Sequence, residues 1–373
     1  MYEILEYIEN MEDKRQQSKV KYPLSEVLFV VLLAMLGNAN EWEEIEAFAQ
    51  AHEKCLRKYL SFENGIPSHD TIRRVMGMIS PQSLQGLQYK WNELLSRDEG
   101  EKLKKIINID GKTMRDSGNK DNKAHHIVSA WSKEDGFCLG QTVVQEKSNE
   151  ITAIPLLLDE IDIKGKVITI DAMGTQIEIA TKIKQLKGDY VLALKGNQGI
   201  LYEEVAEYFS VETFLEEIKG QKHYKRTQEK AHGQIETRKY YQTDNIRWIT
   251  NKGNWKGIKS IGMVETILEI GENKRKEIRF YISSLPCDIN LFERCVRGHW
   301  AIESMHWHLD VTFREDYNTT IDKVAALNQN IMRKFCLSIL KLLEVRKSKT
   351  SLKLKRYYIC CNPEKYLQAI FQV

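Results

Sequence analysis

Asp110 follows the apolar run Ile106-Ile107-Asn108-Ile109, and Gly111-Lys112 is expected to turn the chain straight after it. Asp171 follows Val167-Ile168-Thr169-Ile170 in the same way, before Ala172-Met173-Gly174-Thr175-Gln176. Far downstream, Glu303 lies in the stretch from Arg297 to Asp310. Two strand-end aspartates and one helical glutamate offer hard oxygen donors of the kind that bind magnesium or manganese, and such ions drive phosphoryl transfer. If the first and fourth strands are neighbours, Asp110 and Asp171 face each other. Their repulsion would raise one pKa unless a cation intervenes. Two ions about 4 Å apart could then activate a water or a 3′-hydroxyl and stabilise the leaving oxygen of a phosphodiester. On a helix, His299, Glu303, His306, Trp307 and Asp310 share one face. His299 or His306 would contact phosphate there or orient a ligand; the plainer reading is a polar face packed on a sheet, its histidines satisfied by Asp310 or Glu315.

Residues 1–95 read as helical. Ser25 could cap a helix through Leu36, and a second runs from Trp42 to about Tyr59. After the turn Asn64-Gly65-Ile66-Pro67, Ser68 caps a short helix to Met76 that carries Arg73 and Arg74. It resembles the second half of a helix-turn-helix, against a plain amphipathic helix whose arginines pair with Asp70. From about 103 the texture becomes α/β. Strands are expected at Ile106–Ile109, His126–Trp131 and Leu139–Gln145, then a helix at Thr152–Ile161 with Pro155 in its first turn. A strand at Val167–Ile170, a helix at Gln176–Leu186 and a strand at Tyr190–Leu194 complete the series. This predicts a mixed five-stranded sheet, three strands meandering and two joined by parallel crossovers. Residues 199–285 break the alternation with a helix to about Glu217 and strands at Ile235–Tyr241, Ile261–Glu269 and Glu277–Ser283, a β-rich insertion. Helices return from about Leu291 to Val311 and from Lys323 to Glu344.

A length of 373 residues suits two or three domains. A net charge of +3 neither demands nor excludes nucleic acid. The segment with Lys341, Arg346, Lys347, Lys349, Lys353, Lys355 and Arg356 is locally basic, either a solvated helix end or a phosphate-contacting surface. Seven cysteines form no Cys-x-x-Cys pair, which disfavours structural zinc and suits a reducing cytoplasm. The acidic, polar N-terminal segment does not read as a signal peptide. The run Val27 to Leu36 is too short for a membrane span, which needs about 20 residues. Glu303-x-x-His306 and Glu229-x-x-His232 match a di-iron pattern, but the fold around them is no four-helix bundle. No P-loop, Asp-x-Asp or Gly-x-Ser-x-Gly motif is present.

Six motifs stand in order: Ile109-Asp-Gly-Lys-Thr-Met-Arg-Asp-Ser117, Ile170-Asp-Ala-Met-Gly-Thr-Gln176, Tyr190-Val-Leu-Ala-Leu-Lys-Gly-Asn-Gln198, His232-Gly-Gln-Ile-Glu-Thr-Arg238, Arg297-Gly-His-Trp-Ala-Ile-Glu303 and Leu309-Asp-Val-Thr-Phe-Arg-Glu-Asp316. With Gly65-Ile-Pro-Ser-His-Asp-Thr-Ile-Arg-Arg-Val75, they resemble the DDE transposases of ISAs-type insertion sequences, the H-repeat-associated proteins, over nearly the whole chain. The resemblance implies a helical DDE-associated domain at 1–95 and an RNase H-like catalytic domain at 96–373, with the insertion before the final acid. It assigns the catalytic and metal-binding triad to Asp110, Asp171 and Glu303, with two magnesium or manganese ions. The implied partners are DNA, as terminal inverted repeats and target, and a second copy in a synaptic homodimer. No membrane is implied; the setting is the bacterial cytoplasm, at the nucleoid when active. Candidate DNA contacts are Arg73, Arg74, Lys112, Arg238, Arg297 and His299. Related transposases carry Tyr-x-x-Arg-x-x-x-Glu-x-x-x-x-x-x-Lys around the glutamate; here Val296, His299 and Asp310 occupy the Tyr, Arg and Lys positions. The alternatives are an RNase H-fold DNA nuclease and a domesticated, non-transposing DNA-binding protein.

Overall fold

The computed structural model describes residues 2–96, 104–114, 124–144, 150–231, 233–345 and 350–371. Gln145, Asp116, Ser117, His232, Arg346, Lys347 and Lys349, which figure in the sequence reading, lie outside them. The chain begins with α1 (Tyr2–Glu9), α2 (Leu24–Leu36), α3 (Trp42–Ala51), α4 (Glu53–Leu56), α5 (His69–Met76) and α6 (Pro81–Ser96). Next come β1 (Ile106–Thr113), β2 (His126–Ser132), β3 (Phe137–Val144), α7 (Glu150–Glu160), β4 (Val167–Ile170), α8 (Ile177–Gln185) and β5 (Asp189–Leu194). Then follow α9 (Ile200–Ser210), α10 (Glu212–Gly220), β6 (Tyr224–Ala231), β7 (Gln234–Thr243), β8 (Ser260–Ile270) and β9 (Asn273–Ser283). The last helices are α11 (Ile289–Trp307), α12 (Lys323–Leu342), α13 (Leu352–Cys361) and α14 (Pro363–Phe371). Among the described residues no helix is long and apolar enough to cross a membrane.

The fold is mixed α/β, and among the described residues its sheet has nine strands in the order β3-β2-β1-β4-β5-β9-β8-β7-β6. The expected five strands are the first five of that order. The expectation of a five-stranded sheet fails at β5, because Val191–Leu194 pairs antiparallel with Phe280–Ser283 of β9. An uncovered β5 would be an exposed edge; the insertion covers it and extends the sheet. Alternation in sequence reveals strands but not which edges join. β6 escaped the sequence reading because Tyr-Lys-Arg-Thr-Gln-Glu-Lys-Ala has no apolar alternation.

Other boundaries moved for identifiable reasons. β1 does not turn at Gly111-Lys112 but runs on to Thr113, held by β2 through Gly111↔Val128 and Lys112↔Ile127. α7 starts at Glu150, so Pro155 lies inside it rather than in its first turn. α2 starts at Leu24 with Pro23, not Ser25, at its cap. The helix expected from Trp42 to Tyr59 breaks at His52 into α3 and α4. The helix expected to Glu217 is two, α9 and α10.

The central strands are covered on both faces, as their near-continuous apolar character requires. Ile107, Ile109, Ile168, Ile170 and Leu192 pack with α7 and α8 residues such as Leu157 and Ile179. The opposite face sets Ile106, Val167 and Val191 against Phe292, Cys295 and Val296 of α11. The C-terminal part of α11 enters a different core. Ile302 and Met305 join Val27, Leu33 and Ile72 from the first helices and Phe335, Ile359 and Leu367 from the last ones. α2 is apolar on nearly every side, which makes it the centre of that core.

Lys355 and Arg356, expected on a solvated or phosphate-contacting basic surface, are buried instead. Lys355 Nζ donates to Leu340 O at 2.7 Å and Leu343 O at 2.6 Å, satisfying carbonyls at the end of α12. Arg356 donates to Met35 O at 2.7 Å and Asn40 Oδ1 at 2.9 Å, closing the end of α2. Helix C-termini leave carbonyls unsatisfied and favour positive charge. These cations close the helical core.

Candidate active site

Parallel pairing of β1 with β4 sets Ile109 beside Ile170. The next residues, Asp110 in β1 and Asp171 just past the end of β4, therefore stand level, the two strands lying about 4.8 Å apart. Side chains alternate along a strand. Ile106, Asn108 and Asp110 share the α11 side with Val167, Thr169 and Asp171. The site is thus roofed by α11, which approaches β1 closely: a Cβ on Gly298 would lie 3.4 Å from Asn108 Oδ1. Beneath the helix, Thr169 Oγ1 donates to Asn108 Oδ1 at 2.8 Å and lies 3.2 Å from His299 Nδ1.

His299 sits among all three acids. Burial lowers its pKa, while Asp110, Asp171 and Glu303 pull it upward without prevailing. His306, about two turns further along α11, places Nδ1 3.4 Å from Asp110 Oδ2. Burial works to raise the Asp110 carboxyl, but His306, His299 and the Gly111 N–H outweigh it and hold the acid below the usual aspartate range. The His306 partner is therefore Asp110, not Asp310 or Glu315. Behind Asp110, His126 Nε2 and Glu150 Oε1 meet at 2.6 Å, with Thr113 Oγ1 2.8 Å from His126 Nδ1. A Cβ on Gly111 would collide with both Glu150 and His126. That close approach is why glycine follows the acid.

Asp171 Oδ1 accepts the N–H groups of Met173 at 3.1 Å and Gly174 at 3.0 Å. Its Oδ2 makes no hydrogen bond among the described residues. Glu303 is exposed and likewise has no ion pair or side-chain hydrogen bond among them. Asp171, Glu303 and His299 line a pocket of about 450 Å³ with Lys195, Tyr202, Arg279 and Trp300. As the side chains stand, no three His, Cys, Asp or Glu residues among those described gather closely enough to hold a metal ion. The donor chemistry nonetheless suits a hard divalent cation: carboxylate oxygens, with Glu303 and one oxygen of Asp171 uncommitted among the described residues and imidazole beside Asp110.

The candidate DNA contacts fall in different places. Lys112 is tied to Asp310 at 2.7 Å, Glu315 at 2.9 Å and Asp316 at 3.4 Å. Burial opposes its charge, but Glu315 and Asp310 raise its pKa above the usual lysine value. Arg297 pairs with Glu229. Arg238 pairs with Glu236 and lies 4.9 Å from the Trp300 ring centroid. Arg73 pairs with Asp70 at 2.9 Å, and Arg74 is exposed without an ion pair among the described residues. Both arginines stand on α5, in the helical unit away from the acids. Sequence reasoning gave no role to Arg279, Trp300 or Lys195. Trp300 and Lys195 lie within recognised motifs; nothing in the sequence marks Arg279, whose place follows from the pairing of β9 with β5.

Residues 101–339 match the family described as Transposase DDE domain, and residues 5–92 match the family described as DDE_Tnp_1-associated. "Putative transposase YncI" of Escherichia coli O157:H7 is 41% identical over 367 residues, covering 96% of this chain and 92% of that protein. "H repeat-associated putative transposase YhhI" of Escherichia coli strain K12 is 40% identical over 323 residues, covering 84% of this chain and 83% of the other. A solved piggyBac transposase synaptic complex with hairpin DNA aligns at 10% identity and a TM-score of 0.42, over 100% of this chain and 80% of that one.

Proposed function

The chain belongs to the DDE transposase family, and from that premise we propose that it cuts DNA at the inverted repeats of an insertion sequence and joins the freed 3′-hydroxyls to target DNA. The observation that carries this reading is the level placement of Asp110 and Asp171 under α11, with Glu303 on the same side. The run β3-β2-β1-β4-β5, antiparallel then parallel, supports an RNase H-like core with β6 to β9 as its insertion. Residues 1–95 are the DDE-associated domain in this reading and 96–373 the catalytic domain. Two copies would pair the element ends in the cytoplasm.

Asp110, Asp171 and Glu303 would hold magnesium or manganese, which supplies Lewis acidity and charge neutralisation at the phosphodiester. The protein's own contribution is position. His306 orients the Asp110 carboxylate, the turn after Asp171 fixes one of its oxygens through two N–H groups, and exposed Glu303 can swing toward either acid. No covalent enzyme intermediate is needed: water attacks first, then a DNA hydroxyl. Incubating the full chain with repeat-ended duplexes tests this. Nicked ends and joined products that require the divalent cation are expected. Cleavage without joining would favour a nuclease, and binding without cleavage a non-transposing DNA-binding protein.

In this reading α5 recognises the repeat. The Arg73–Asp70 pair is exposed, so it contributes little and leaves the guanidinium available. Replacing Arg73 and Arg74 together by alanine should weaken repeat binding by about 1–3 kcal/mol per base-reading arginine, with a smaller effect on random DNA. Equal affinity of variant and wild type for both DNAs, measured by fluorescence anisotropy, would move recognition elsewhere.

A further inference from the structure

The turn after β5, Lys195-Gly196-Asn197-Gln198, is bolted to the turn after Asp171. Asn197 Nδ2 donates to Ala172 O at 2.8 Å, and Gln198 Nε2 donates to Thr175 O. Thr175 Oγ1 in turn bonds Ala193 O at 2.6 Å and Asp171 O at 3.0 Å. Lys195 is therefore held in a fixed relation to Asp171. It is exposed, lines the pocket, and makes no ion pair or side-chain hydrogen bond among the described residues.

The antiparallel pairing of β5 with β9 sets Val191 beside Ser283 and Ala193 beside Tyr281. Continuing that register by two residues puts Lys195 opposite Arg279. Both side chains then fall on the face that carries Asp171, by the same alternation. Arg279 lines the same pocket, lies 5.7 Å from the Trp300 ring centroid, and pairs with exposed Glu277 at 2.7 Å, beside Tyr281 and Glu303. Two like charges opposite each other on a sheet repel. An exposed pair fixed this way beside carboxylates makes sense when an anion lies between the cations.

We propose that Lys195 and Arg279 form a clamp on a DNA backbone phosphate flanking the scissile bond. This rests on the reading of the chain as a DNA-cutting transposase. The clamp presents the strand so that its neighbouring phosphodiester reaches Asp110, Asp171 and Glu303. Arg297, the more obvious arginine in sequence, is instead engaged by Glu229 and, at 3.9 Å, Glu293.

The test uses the full chain and repeat-ended duplexes carrying one methylphosphonate at a time on either side of the cleavage site. Binding is measured in chelator, so that it does not depend on the metal. In the wild type one flanking position should be sensitive, its neutral substitute lowering affinity several-fold. In Lys195→Ala and in Arg279→Ala that position should matter less, and in the double variant it should lose its effect, because both charges it met are gone. The slope of log affinity against log salt should also fall in each variant, and by roughly 0.7–0.9 in the double variant, one phosphate contact. Lys195→Arg should restore the sensitivity. A methylphosphonate profile and salt slope unchanged in both alanine variants, with unfolding curves like wild type, would overturn the clamp. A wild type that binds and cuts no repeat DNA at all would instead overturn the reading beneath it.

Discussion

Asp110→Asn, Asp171→Asn and Glu303→Gln are each expected to slow DNA strand cleavage by at least about 10³-fold, ~4 kcal/mol at the barrier, while repeat binding stays within about threefold of wild type. The substitutions are nearly isosteric, so the fold should tolerate them. An asparagine at 171 can still accept the N–H groups of Met173 and Gly174. An asparagine at 110 can still face His306. What disappears is the negative charge that a hard divalent cation demands, since a neutral amide is a poor ligand for magnesium. DNA affinity rests on lysine and arginine contacts with phosphates, which these changes leave in place. Gel assays of nicking, run beside a binding assay on the same preparations, decide the matter. A rate near wild type in any one of the three would remove that residue from the chemistry.

The site was legible where local pattern and chemistry coincide. Four apolar residues followed by aspartate, twice, predicts two buried strands with acids at one end, and the register levels those acids. Glycine after Asp110 was visible, but its reason was not: it gives room to the His126–Glu150 pair, whose members come from β2 and α7. What failed in the sequence reading depends on long-range pairing. The nine-stranded sheet needs β9 to find β5, across the whole insertion. Polar β6 is held by its neighbour β7 rather than by a buried face. Lys355 and Arg356 look like surface charge until α2 and α12 present their carbonyl ends to them. The opposition of Lys195 and Arg279 is likewise invisible before the register is known.

Glu315 is the other residue whose loss should be severe, through stability rather than chemistry. Its carboxylate is buried and receives Lys112 Nζ at 2.9 Å and Asn330 Nδ2 at 2.6 Å, with Arg333 Nη1 at 3.8 Å. Burial raises its pKa, but Lys112 and Arg333 outweigh it and hold the group below the usual glutamate range. Glu315→Gln leaves fully buried Arg333 short of its counter-charge and Lys112 with Asp310 and Asp316 alone, a loss of about 3–5 kcal/mol. Urea unfolding should show a midpoint lowered accordingly, whereas Arg73→Ala, which breaks the exposed pair with Asp70, should cost under about 1 kcal/mol. The depressed pKa fixes the pH dependence. The stabilisation is present above the unfolded glutamate value, about 4.3, and is lost as pH falls through the lower folded value. Wild type should therefore lose stability over that acidic range, and Glu315→Gln should lack this part of the loss. The pair also joins β1, two residues beyond Asp110, to the segment that follows α11. The variant should thus lose cleavage beyond what its unfolded fraction explains, as Asp110 and Glu303 lose their fixed relation. A urea midpoint for Glu315→Gln equal to that of wild type at neutral pH would show that the network does not carry this load.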